Sequence, residues 1–252
     1  CGACAHRCPD GAIAMEPDEE GFLYPVIRAE RCMDCGLCQT ICPFRKEDHW
    51  KNEQMPQFYV AKHRDGEVLR RSTSGGAFTA LSDQVLDMGG AVYGAVFDSR
   101  FRVVHQRATG RAGRDRMRFS KYVQSDVRRL FGQVKADLQA GKPVLFIGTP
   151  CQVAGLKNYI KRIPEHLYLV DLICHGVPSQ QMLHEHIHHI LNGRSAEQLS
   201  FRKGQLFRIE LAARCGTVYS SEPYGDTYFR TFLDGISYRE SCYHCPFARK
   251  ER

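Results

Sequence analysis

No apolar stretch in this chain approaches the ~18 residues that a membrane-spanning helix needs, and no basic segment followed by an apolar core opens it as a secretion signal would. No membrane span is expected, and with no sorting pattern cytoplasm is the default compartment. An initiator Met is also missing. The chain begins at Cys1, inside a motif, and stops at Lys250-Glu251-Arg252, so it reads as a fragment cut at both ends. Neither sign of charge dominates: 35 Lys and Arg face 28 Asp and Glu, a formal +7. With 43% hydrophobic and 25% charged residues, this is the composition of an ordinary globular protein.

What the chain has in excess is cysteine, 12 in 252 residues. A disulfide framework suits short secreted chains, and this one is long and without a signal peptide. Tight C-x2-C spacing favours metal ligation instead. Cys32-Met33-Asp34-Cys35-Gly36-Leu37-Cys38-Gln39-Thr40-Ile41-Cys42-Pro43 is a complete C-x2-C-x2-C-x3-C-P run. In that spacing one loop wraps three corners of a 4Fe-4S cubane, and the fourth Cys serves a second cluster. Cys1-Gly2-Ala3-Cys4-Ala5-His6-Arg7-Cys8-Pro9 ends the same way and lacks only a Cys three residues before Cys1.

The two runs are an internal repeat, and the crossed ligation follows. One cluster takes Cys8, Cys32, Cys35 and Cys38; the other takes Cys1, Cys4 and Cys42 with the missing Cys. Zinc is the rival reading, but it favours separated pairs of ligands over four Cys in one run ending in Cys-Pro. A hairpin is expected between the repeats, turning at Pro17-Asp18-Glu19-Glu20-Gly21. Each 4Fe-4S core with four thiolates carries a net negative charge, so three would bring the formal excess to about +1. The basic surplus is therefore poor support for a nucleic-acid partner.

Beyond a polar, Pro-interrupted linker at 49–57, a different pattern begins. Phe58-Tyr59-Val60-Ala61 reads as a strand, Gly76 to Met88 as a helix stopped by Gly89-Gly90, and Ala91 to Phe97 as a strand. Asp126 to Gln139 predicts an amphipathic helix, followed by a strand at 143–147, a helix from Gln152 to Arg162, and a strand from Leu167 to Cys174 apolar enough for burial on both faces. The expected fold class is α/β: a two-cluster ferredoxin-like α+β module over 1–50, then an α/β domain over 57–252 with a partly parallel sheet. Strand–helix–strand connections of this length imply a right-handed crossover. Gly148-Thr149-Pro150-Cys151 and Cys174-His175-Gly176 then fall past the carboxyl ends of parallel strands, where open α/β sheets bind ligands.

With Cys242 and Cys245 of Ser241-Cys242-Tyr243-His244-Cys245, these cysteines make a four-thiol set for a third cluster; the other reading of Cys151 and Cys174 is small buried core residues. Cys215 is assigned to packing. His184, His186, His188 and His189 are assigned to a helix face rather than to metal binding. Arginines between Arg100 and Arg129 read either as a site for an anionic acceptor or as solvated surface.

Ser72-Thr73-Ser74-Gly75-Gly76, Lys121-Tyr122-Val123-Gln124-Ser125, Gly148-Thr149-Pro150-Cys151-Gln152, Cys174-His175-Gly176-Val177-Pro178 and Ser241 to Cys245 together resemble the coenzyme F-420 hydrogenase/dehydrogenase beta-subunit family. Its members include many proteins of anaerobes and the related 7-hydroxymethyl chlorophyll a reductases. The resemblance implies a flavin, FAD, in the α/β domain with an iron–sulfur centre beside it, and it strengthens Cys151, Cys174, Cys242 and Cys245 as ligands. Ser72, Ser74, Gly75 and Gly76 are candidates for a pyrophosphate turn, Lys121 and Tyr122 for a phosphate and a ring contact, and Gly148 and Thr149 for the isoalloxazine. His175 is the candidate for tuning a cluster or moving a flavin proton. The implied activity is an oxidoreductase in which clusters exchange electrons with FAD and the flavin exchanges hydride with an organic acceptor such as coenzyme F-420. Implied partners are a redox protein or hydrogenase/dehydrogenase subunits. The alternative is a non-catalytic electron-transfer subunit of a larger complex.

Overall fold

The computed structural model describes residues 1–45, 56–127 and 130–248. Most of the linker expected at 49–57, and Arg128 and Arg129 of the Arg-rich stretch, lie outside the described residues.

The internal repeat is visible as two short helices, α1 (Ala3–Arg7) and α2 (Leu37–Thr40). Each follows a left-handed glycine, Gly2 at φ 72° and Gly36 at φ 68°, which turns the chain directly after a Cys. A side chain at either place would be strained. Between the helices β1 (Ile13–Pro17) and β2 (Leu23–Ile27) form the expected antiparallel hairpin. Asp18 Oδ1 closes its turn by accepting from the Glu20 and Phe22 amides at 3.1 and 2.8 Å.

After α3 (Gly66–Arg70) and α4 (Ala77–Asp87), a four-stranded sheet forms from β3 (Ala91–Phe97), β4 (Val103–Ala108), β5 (Val144–Gly148) and β6 (Leu167–Asp171). Its order is β4-β3-β5-β6, with the first pair antiparallel and the other two parallel. The connections carry α5 (Arg111–Asp115), α6 (Leu130–Gln139) and α7 (Pro150–Ile160). Then α8 (Gln180–Leu191) leads to an antiparallel sheet of β7 (Gln198–Lys203), β8 (Leu206–Ala213) and β9 (Gly216–Ser221). Two helices, α9 (Thr227–Leu233) and α10 (Glu240–Tyr243), follow it. The architecture is thus mixed α/β with a partly parallel sheet behind a ferredoxin-like module.

Some expected elements are shorter or absent. Phe58-Tyr59-Val60-Ala61 is exposed and joins no sheet among the described residues, so its apolar run has no strand to pair with there. The strand from Leu167 ends at Asp171, and Leu172 and Ile173 are exposed; in β6, the edge strand, only Leu167 is buried, so it is not covered on both faces. Asp126 pairs with Val104 in an isolated bridge, and the helix is described from Leu130. Cys215 sits in the exposed turn between β8 and β9 rather than in packing.

One core holds the two parts of the chain together. Ala3 and Ile41 of the ferredoxin module are buried with Tyr93, Phe131, Phe146, Val153 and Leu156. A second core unites α8, α9 and the three-stranded sheet around Phe201, Ile209, Tyr228 and Phe229.

Candidate functional site

Helix α7 organises the site. Thr149 caps it in a capping box with Gln152, whose Oε1 accepts from the Thr149 amide at 3.0 Å, and Pro150 opens the first turn. This cap places Cys151 just past the end of β5, with its Sγ 3.3 Å from the Thr149 hydroxyl. Beyond the end of β6, the loop carrying Cys174 runs into Gly176 at φ 140°. A Cβ on Gly176 would overlap the Tyr238 ring, so glycine lets this loop lie against the segment before α10. That segment leads into α10, which carries Cys242, and Cys245 follows the helix.

Cys151, Cys174, Cys242 and Cys245 therefore line one cavity of about 580 Å³, together with Cys1, Thr149 and His175. Burial pushes the Cys174 thiol up to about 11, and the three neighbouring thiols add to that against a backbone hydrogen bond. The Cys242 thiol is also raised by burial. The Cys174 and Cys242 thiols resist becoming thiolates by themselves, and a cationic iron–sulfur core is what such a four-sulfur donor set suits. Among the described residues no group of three or more His, Cys, Asp or Glu closes on the point a single metal ion would occupy. A four-iron core is larger than one ion and meets its cysteines at separate corners.

In the ferredoxin module, Cys8, Cys32, Cys35 and Cys38 line a second, smaller cavity of about 70 Å³. This is the set expected for one cluster. Cys4 has its thiol raised chiefly by burial, with Cys42 close enough to add to the shift. Cys1, Cys4 and Cys42 thus lie on the side of the module that faces α7. A Cβ on Gly155 of α7 would stand 3.1 Å from Cys1 Sγ and 3.3 Å from the Ala3 Cβ. One turn on, Asn158 Nδ2 donates to the Ile41 carbonyl at 2.9 Å. His6 stacks on Phe131 at 4.7 Å, with its Nε2 3.1 Å from the Val127 carbonyl.

The residues expected around a flavin do not come to one place. Of Ser72, Ser74, Gly75, Gly76, Lys121, Tyr122, Gly148 and Thr149, only Thr149 lines the large cavity. Ser72 donates to the Val68 carbonyl at 2.6 Å, the Gly75 carbonyl accepts from the His63 amide at 2.7 Å, and Gly76 at φ 80° precedes α4. Gly148 is buried with Gln152 packed against it. Lys121 Nζ donates to the carbonyls of Met117, Arg118 and Phe119 at 3.3, 2.8 and 3.1 Å, and burial pushes its ammonium down to about 7. Tyr122 is ringed by Phe201, Phe207, Phe229 and Phe232, stacking on the last at 4.9 Å. Arg202 reaches from Tyr122 OH at 3.3 Å to the Thr73 carbonyl at 3.4 Å, so this group adjoins the Ser72–Gly76 turn.

Other candidates resolve into structure. Arg102, Arg107, Arg111, Arg114 and Arg118 pair with Asp98, Asp137, Asp83 and Asp115 rather than forming an open anion site. His184 and His188, with Glu185, have the H-E-x-x-H spacing of a zinc helix. All three are exposed, and Glu185 accepts from Gln181 at 2.8 Å, so this face of α8 is solvated. His186 instead bonds the buried Asp226, 2.7 Å away. Sequence reasoning missed His105, which is buried under the site with Nδ1 2.6 Å from Ser125 Oγ and Nε2 2.9 Å from the Ile147 carbonyl. It also missed Arg239, which lines the large cavity. Neither lies in a motif that marks it.

Residues 1–46 match the family described as 4Fe-4S dicluster domain, and residues 141–252 match the C-terminal part of the coenzyme F-420 hydrogenase/dehydrogenase beta subunit. A curated relative, an F(420)H(2) dehydrogenase subunit from Methanosarcina mazei, is 22% identical over 263 residues, covering 97% of this chain and 70% of its own length. Among solved structures, a chain of the F-420-reducing nickel–iron hydrogenase complex from Methanosarcina barkeri is similar in fold, with a TM-score of 0.52 and 19% identity. That similarity covers 74% of this chain and 66% of the other. None of the described helices is long and apolar enough to cross a membrane. The chain is thus an iron–sulfur protein with a 4Fe-4S dicluster domain at its N-terminus, related through residues 141–252 to the coenzyme F-420 hydrogenase/dehydrogenase beta subunits.

Proposed function

We propose that this chain is the electron-conducting, flavin-bearing subunit of a cytoplasmic oxidoreductase complex. Its two units, 1–50 and 57–252, would hold the clusters and the flavin in sequence. Cys8, Cys32, Cys35 and Cys38 hold the outer ferredoxin cluster, and Cys1, Cys4 and Cys42 supply three ligands of the inner one. Cys151, Cys174, Cys242 and Cys245 hold a third. The observation that carries this reading is the large cavity, whose wall includes both Cys1 of the inner set and all four cysteines of the third set. Electrons crossing between those sets would travel along one cavity wall.

FAD, when bound, supplies the conversion between single electrons and a hydride. Thr149 and His175, which line the same cavity as the third set, would meet it there. His175 is exposed, lines the cavity, and offers a ring nitrogen for a hydrogen bond to a bound group. The organic acceptor we favour is coenzyme F-420 or a similar deazaflavin, on the strength of the family and of relatives named for that coenzyme.

A specific observation favours a second reading. Lys121 and Tyr122 are engaged within the fold, and the expected flavin residues do not converge, which suits a relay subunit without a flavin of its own. Iron, acid-labile sulfide and flavin, measured per chain on the full-length protein purified without air, separate the two. About 12 iron with about one flavin is expected for the first reading. About 8 iron without flavin would sink it and leave a two-cluster relay.

A further inference from the structure

Arg239 occupies a singular position at this site. Its amide donates to the Val177 carbonyl at 3.0 Å, and its carbonyl accepts from the Cys242 amide at 2.7 Å. The backbone of one residue therefore ties the Cys174 loop to the turn that carries Cys242 and Cys245. Its side chain crosses to the ferredoxin module, where the guanidinium lies 4.0 Å over the Tyr24 ring of β2. It also lines the large cavity among the four cysteines, and its Nε is buried with no hydrogen-bond partner. No carboxylate pairs with it among the described residues. The other charged or titratable side chains in the cavity wall, apart from the cysteines, are Asp126, Asp171 and His175.

A cation that no carboxylate pairs with among the described residues is costly to hold in a half-buried wall. Stacking on Tyr24 recovers part of that cost and fixes where the charge points. The physical consequence concerns any group held by the neighbouring thiolates. A 4Fe-4S core with four thiolates becomes more negative by one unit when it accepts an electron, and a fixed positive charge nearby favours the reduced form.

We propose that Arg239 sets the reduction potential of the third centre, and that Tyr24 of the ferredoxin module holds its guanidinium there, so that docking of the module tunes the centre it feeds. This rests on the reading of Cys151, Cys174, Cys242 and Cys245 as ligands of a cluster. The electron the third centre gains comes from the adjacent reduced ferredoxin cluster, which loses one electron in the same step. Arg239 acts through its charge and takes no part in bond making.

The test is a potentiometric titration of the full-length, cluster-loaded protein, followed by electron paramagnetic resonance, with a Cys174→Ser variant identifying the third centre's signal. In Arg239→Gln the third centre's midpoint is expected to move to more negative potential while the two ferredoxin midpoints stay. A tenfold fall in its reduced-to-oxidised ratio at fixed potential corresponds to about 59 mV for one electron. Arg239→Lys keeps the charge and should retain most of the wild-type potential. Tyr24→Leu, which leaves every ligand-bearing segment untouched, should shift the same centre in the same direction by less.

If Arg239→Gln fails to load the centre, Tyr24→Leu carries the test. Unchanged midpoints in Arg239→Gln, or in Tyr24→Leu where that variant carries the test, would overturn the inference. So would a shift shared by all three centres. A wild-type protein with only about 8 iron would instead overturn the cluster assignment beneath it, and the iron count tells the two failures apart.

Discussion

His105 shows what single residues do beneath the site. The Ile147 carbonyl can only accept, so the His105 Nε2, 2.9 Å away, carries the proton and Nδ1 is left to accept from the Ser125 hydroxyl at 2.6 Å. That arrangement needs a neutral ring, and burial pushes the imidazolium down to about 4. An unfolded histidine keeps its ordinary value near 6.5. Between those two values the unfolded chain binds the extra proton, so stability falls as pH drops from about 6.5 to about 4. Above about 6.5 the ring is neutral in both states and its contribution is complete. His105→Gln should flatten that part of the curve, seen as a smaller loss of urea-unfolding midpoint between pH 6.5 and 4 than in wild type. Parallel curves would mean that His105 is charged in the folded protein. Nothing in the sequence around His105 marked it, because its partners come from residues 125 and 147 and are set by tertiary structure. The cysteines were legible because ligand spacing within one loop is a local property that sequence records directly.

At the scale of elements, α7 joins the two parts of the molecule turn by turn. Cys151 stands in its first turn, Gly155 in the next against Cys1, and Asn158 beyond that on the Ile41 carbonyl. The helix and the strand before it were readable from apolar spacing, although the helix begins at Pro150, two residues before the expected Gln152. The role of Gly155 was not, because a mid-helix glycine has no meaning until something is seen to approach it. Phe58 to Ala61 failed for the converse reason: a short apolar run makes a strand only where a neighbour pairs with it. The three strands after α8 were legible only as an alternating stretch around Cys215, since their pairing joins residues across two turns. Gly155→Val should push Cys1 and Ala3 away from α7, because even a Cβ there meets Cys1 Sγ at 3.1 Å. The expected result is loss of the inner ferredoxin cluster, iron falling by about four per chain, with Gly155→Ala milder. Full iron in Gly155→Val would show that the module docks without this contact.

At the scale of the whole molecule, the ferredoxin repeat is not a bead on a tether. Ala3 and Ile41 are 0% and 4% exposed in the core that also holds Phe131, Phe146 and Leu156. Burying an apolar side chain there contributes roughly 1.5–3 kcal/mol, and the contributions of α1, α6 and α7 stand or fall together. Clusters stabilise whatever fold presents their ligands, since an unfolded chain offers no ready-made site. Because α1 carries Cys4 and packs against α6 and α7 as well, loss of iron should be felt well beyond the ligand loops. Anaerobic removal of iron by a chelator should therefore raise amide hydrogen exchange in α6 and α7 along with α1 and α2. The edge of the second core around Ile209 and Phe229, which contains no module residue, should change less. Exchange confined to residues 1–45 would mean that the shared core holds without the clusters and that the module's fold, not its iron, docks it. Exchange that spreads into α6 and α7 would mean that the metal centres hold closed the interface across which their electrons pass.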